Sequence, residues 1–146
     1  MLFKNGDASL KLDIVNYELP ADGGAPDSDD RNWLVLRCTW INEDGAVVKD
    51  SNSCLLTYEL KELTAGLKVL AAGIRDEYAS EFQEPYFELT VQKTGDDTFQ
   101  AAVAFTMLNS PEDWDTAEVE LECDTACLKS WITELEKAEK RFPPRS

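Results

Sequence analysis

The chain has 146 residues, with 29 acidic and 14 basic side chains and no histidine, for a net charge of −15 at neutral pH. So large an excess of acid excludes the lysine and arginine clusters that grip a nucleic-acid backbone or an anionic membrane surface. The missing imidazole removes Ser-His and Cys-His nucleophile pairs, histidine metal ligands and the commonest proton carrier near neutral pH.

With 43% hydrophobic residues the chain has apolar material for one core, so a single domain over 1–146 is expected. No apolar run reaches the roughly 18 residues of a membrane-spanning helix. Met1–Gly6 lacks the basic stretch, apolar run and small-residue cleavage site of a signal peptide, which reads as cytoplasmic. Cys38, Cys54, Cys123 and Cys127 are spaced C-x15-C-x68-C-x3-C, unlike any paired zinc framework. They are expected as free thiols packed like small hydrophobes, with Cys127 open to a lowered pKa at a helix N-terminus. No metal or cofactor is expected, and the chain reads as a binding protein and not an enzyme.

In chain order, Asn5-Gly6 is a type I′ hairpin signal between a short strand at Leu2–Lys4 and a longer one. In the longer strand Leu10, Leu12 and Ile14 alternate with Lys11 and Asp13. Residues 20–31, rich in Pro, Gly and Asp, are expected as a mobile acidic loop. Trp33–Ile41 is apolar on both faces near its start and suits the centre of a sheet, with Asp44-Gly45 turning it into a partner strand from Ala46. Leu56, Leu60, Leu63, Leu67, Leu70 and Ile74 share one face of a helix. Thr57 is its expected N-cap, Glu59 and Glu62 suit its positive end, and Gly73 is its stop.

Three further strands follow, with Phe87, Leu89 and Val91 in the first, Phe99 to Met107 in the second, and Val119 and Leu121 inward in the third. Asp124 then caps a last helix carrying Leu128, Trp131, Ile132, Leu135, Ala138 and Phe142, ended by Pro143-Pro144. This order predicts an α+β fold: a mainly antiparallel sheet of about six or seven strands with two amphipathic helices packed on it.

The charge is uneven. Residues 1–75 carry −4, residues 76–128 carry −13 with Lys93 as their one base, and residues 129–146 carry +2. Alternate strand residues project from one face, so Glu118, Glu120 and Glu122 form a row of carboxylates. Trp114, set between Asp113 and Asp115, is a candidate interface anchor. Asp113, Trp114, Asp115, Glu118, Glu120 and Glu122 are therefore the candidate partner-binding residues, and a basic protein is the partner their charge suits. A solvated face that only keeps the chain soluble is the plain alternative. Other candidates are weaker. Asp27-Ser-Asp-Asp30 lacks the central Gly and closing Glu of a calcium loop, and Gly23-Gly24 fits no phosphate-binding pattern. Glu59 and Glu62 lie one helical turn apart but suit cap and dipole roles better than acid–base work.

Three segments carry a resemblance: Leu10-Lys-Leu-Asp-Ile-Val-Asn-Tyr-Glu-Leu-Pro20, Asn32-Trp-Leu-Val-Leu36 and Cys54-Leu-Leu-Thr-Tyr-Glu-Leu60. Together they resemble the WapI-type immunity proteins of bacteria over residues 9–70, with the remainder alike only in architecture. The resemblance implies an immunity protein that binds and neutralises the toxic domain of a polymorphic toxin, a basic nuclease being one such domain. Two rivals remain at the level of sequence. A secretion-chaperone-like protein would also be small, acidic and α+β, but would begin with a helix and not a hairpin. A carboxylate-based enzyme or ligand binder would place Glu59 in a deep polar pocket.

Overall fold

A run of four strands and a helix occurs twice along the chain. The computed structural model describes residues 1–109 and 115–146. The first half holds β1 (Leu2–Asn5), β2 (Ala8–Tyr17), β3 (Trp33–Ile41), β4 (Val47–Leu56) and α1 (Thr57–Ala71). The second holds β5 (Glu77–Ala79), β6 (Phe87–Lys93), β7 (Phe99–Met107), β8 (Asp115–Cys123) and α2 (Thr125–Arg141).

The α+β class and the two helices hold, but the expected single sheet of six or seven strands is corrected to two antiparallel four-stranded sheets, β1-β2-β3-β4 and β5-β6-β7-β8. The division falls at α1: Leu56 ends β4 and is also the N-cap of the helix, and the strands after the helix pair only with one another. β5 escapes any periodicity reading because three residues are too few to show a period of two.

Local chemistry explains the departures from the sequence pattern. At the first hairpin Asn5 pairs with Ala8, so the loop is Gly6-Asp7; Gly6 alone has positive φ, at +60°, which is the type II′ pattern and not type I′. β4 slips register at Cys54, and the bulge leaves Cys54, Leu55 and Leu56 all buried in succession. α1 does not use Thr57 as its cap. The Thr57 hydroxyl donates to Asn32 Oδ1 at 2.7 Å, while Glu59 Oε1 reaches back to accept from the Leu56 N–H at 3.0 Å. At its other end Gly73, with φ +76°, donates to the Leu70 carbonyl at 3.1 Å, and the Ile74 N–H donates to the Val69 carbonyl at 3.0 Å. This Schellman turn throws Ile74 off the helical face, and it ends 72% exposed.

Buried side chains of both sheets and both helices form one connected core. Several contacts join the halves. Trp131 of α2 packs on Phe3 of β1 with ring centroids 4.7 Å apart, and its indole N–H donates to the Leu2 carbonyl at 3.3 Å. Asn5 Nδ2 donates to the Glu120 carbonyl at 2.7 Å, closing β1 on β8. Asp50 on β4 is buried and fully used: it accepts from the Asn109 N–H at 3.0 Å, from Asn109 Nδ2 at 2.8 Å and from the Ser51 N–H at 2.8 Å. Within the acidic loop Asp29–Asn32 forms a 3-10 turn, and Asn32 Oδ1 accepts from the Arg145 N–H at 2.8 Å. The Arg145 guanidinium lies over the Tyr17 ring at 3.4 Å.

Candidate functional site

In β8 the alternation Ala117, Val119, Leu121 inward and Glu118, Glu120, Glu122 outward is as strict as the sequence suggests. Antiparallel register then decides what stands beside each glutamate. Across β8, β7 and β6, one row reads Glu118, Ala104, Glu88. The next reads Glu120, Ala102, Thr90 and continues to Ala79 of β5. The third reads Glu122, Gln100, Gln92, Glu77.

The outer face of the second sheet therefore carries five exposed glutamates (Glu77, Glu88, Glu118, Glu120 and Glu122) and no base in these rows. Its middle is floored by the small side chains of Ala102, Ala104 and Thr90, which leave a shallow depression between Glu88 and the Glu118–Glu120 edge. Strands lie about 4.8 Å apart, so Glu88 and Glu118 stand about 10 Å apart across an alanine. A guanidinium or ammonium laid on that floor meets carboxylates on both sides. Among the described residues none of the five has a lysine or arginine partner within ion-pair distance. The acidic surface also turns the corner of β8, where Glu118 and Glu120 line a hollow with Asp7 and Glu43.

The structure thus brings Glu118, Glu120 and Glu122 together and adds Glu77 and Glu88, which sequence reasoning missed as partners. The outward alternation of Glu88, Thr90 and Gln92 was the available signal for Glu88. Glu77 had none, because β5 is so short. Asp113 and Trp114 lie outside the described residues. Asp115 opens β8, its backbone paired with Met107.

The other chemistry-bearing groups are occupied. Glu59 is 3% exposed, and its second oxygen accepts from the Gln83 N–H at 2.9 Å, so it staples β4, α1 and the segment before β6 together. Glu62 is exposed. The four cysteines are free thiols. Burial, with Asp50 adding to it, pushes the Cys38 thiol up to about 12, and burial with Glu59 behind it does the same for Cys54. Burial also pushes Cys123 up to about 12. Cys127 corrects the sequence expectation: burial raises its pKa above the usual thiol value, the bond with Cys123 pulls only partly the other way, and Asp124 raises it further. No cluster of three metal-ligating side chains occurs among the described residues. None of their helices is long and apolar enough to cross a membrane.

The sequence model of the immunity protein WapI-like family matches residues 1–143. No curated protein and no solved structure matches the chain.

Proposed function

The chain belongs to the immunity protein WapI-like family, and on that premise we propose that it binds and neutralises the toxic domain of a bacterial polymorphic toxin through the outer face of its second sheet. The family implies a toxin as partner; the charge of the face favours a basic one. The observation that carries the reading is the set of five glutamates around an alanine floor, with no base in their strand rows and Arg75 at the β5 edge beside Glu77. Such a face repels itself, and that cost is recovered when cations arrive. A nuclease domain supplies them, because it must hold a phosphate backbone with lysine and arginine. Carboxylates spaced along a strand occupy those side chains in place of the substrate's phosphates, so occlusion and charge mimicry act together.

The test is to titrate the protein into an activity assay of the cognate toxin domain. Stoichiometric loss of toxicity is expected, and it should vanish when Glu118, Glu120 and Glu122 are all changed to Lys. Full neutralisation by that variant would remove this face from the mechanism.

A further inference from the structure

Acids outnumber bases about two to one in the chain, yet one of its surfaces is basic. On the outer side of the first sheet, one row across the strands reads Leu2, Lys11, Thr39, Lys49. The row beside it reads Lys4, Ser9, Ile41, Val47, and the row on its other side reads Asp13, Arg37, Ser51. Lys4, Lys11, Arg37 and Lys49 are all exposed, against the single acid Asp13. The face is apolar as well. Leu2 is 53% and Val47 56% exposed, two of the four large hydrophobic side chains left open to solvent among the described residues, and Ile41 is half-buried beside Val47.

The spacing of this face matches that of the acidic one. Lys11 and Lys49 stand two strands apart across Thr39, about 10 Å at the usual strand spacing, as Glu118 and Glu88 do across Ala104. In the next row the central strand of the basic face offers Ile41, and that of the acidic face offers Ala102. Sheets packed face to face lie about 10 Å apart, so large side chains of one fill a floor of small side chains in the other. Laid together in this way, Lys11 and Lys49 meet the Glu88–Glu118 pair while Ile41 rests on Ala102.

We propose that the basic outer face of the first sheet docks on the acidic outer face of the second sheet of another copy of this chain. The net charge of −15 on each copy does not forbid this. At physiological salt, charges more than about 8 Å apart are largely screened, whereas the facing pairs lie within that length. Four strands about 4.8 Å apart and six residues of about 3.3 Å each give a face of roughly 300 Å². A stable interface needs roughly 800 Å² per partner, so the association is weak and reversible, and a tighter partner of the acidic face displaces it. The inference uses that face but does not depend on the toxin reading.

The test is sedimentation velocity of the full chain without any toxin. The average mass should rise above the 16.4 kDa monomer as concentration approaches about 1 mM, and fall back at about 1 M salt, where screening shortens to about 3 Å. Lys11→Glu with Lys49→Glu should stay monomeric, and so should Glu118→Lys with Glu120→Lys and Glu122→Lys. All five side chains are exposed, so the fold should survive. Each variant keeps one intact face, so an equimolar mixture of the two should associate although neither does alone. Both variants remain net negative, so bulk attraction cannot produce that result. A wild type that is monomeric at every concentration, self-association that persists in either variant, or a mixture that stays monomeric would each overturn the proposal.

Discussion

On the outer side of the first sheet, Lys4, Lys11, Arg37 and Lys49 alternate with buried positions and share the face with Asp13, which Lys11 reaches at 3.9 Å. On the outer side of the second sheet the corresponding positions hold Glu77, Glu88, Glu118, Glu120 and Glu122 with alanine and threonine between them. Both inner faces are apolar and join one core, so stability constrains them alike. The outer faces are free of that constraint. Four bases beside one acid on the first face leave a smaller charge excess than five glutamates beside Arg75 on the second, so the self-repulsion that points to a partner is greater on the second.

Separating the halves should give the largest effect. Trp131→Ala removes the indole that joins α2 to β1 and should cost about 3–5 kcal/mol. Urea denaturation followed by fluorescence and circular dichroism should show one transition at lower midpoint; two transitions would mean that the halves fold separately.

Charge reversal comes next. Glu118→Lys, Glu120→Lys and Glu122→Lys together should slow association with the toxin domain by about 10–10³-fold, read by stopped flow. The same operation on the first sheet, Lys11→Glu with Lys49→Glu, should change that rate far less.

Gly66→Ala sharpens the comparison from inside, because Gly66 exists to let β5 approach α1. A Cβ there would lie 2.5 Å from the Tyr78 ring. The change should cost about 1–3 kcal/mol in thermal denaturation and loosen the β5 edge of the acidic face.

Two pH effects are smaller. Cys38, Cys54 and Cys123 have folded values raised from 9.0 to about 12, so the native state holds protons that the unfolded chain releases. Their contribution is complete below pH 9 and is lost as pH rises from 9 towards 12, which a series of urea midpoints would show. Asp97 has the opposite sign. The Thr125 hydroxyl and N–H, the latter at 3.0 Å, hold its carboxyl below the usual aspartate value. Its contribution is present above the unfolded value and falls away as pH drops through the folded one, and Asp97→Asn should flatten that part of the acid limb.

Much of this fold was legible because single-face burial writes a period into the sequence. Val119 and Leu121 against Glu118, Glu120 and Glu122 announced β8 and its outward row, and Asp124 announced the start of α2, where it accepts from the Cys127 N–H at 2.8 Å. What was not legible depends on distant partners. Nothing local in Asp50 reveals that it bonds Asn109, 59 residues on, and nothing in Glu59 reveals Gln83. The division into two sheets is of the same kind, since a helix between strands does not say whether the next strand rejoins the sheet it left. Glu88 and Glu77 joined the candidate face only once register placed them beside Ala104 and Gln92.

The most direct test of the acidic face is the rate at which the protein and its cognate toxin domain associate as ionic strength rises. A rate that falls steeply with salt, and loses most of that dependence in the Glu118, Glu120 and Glu122 lysine variant, is expected. A rate that ignores salt, or an equal salt dependence in wild type and variant, would contradict it.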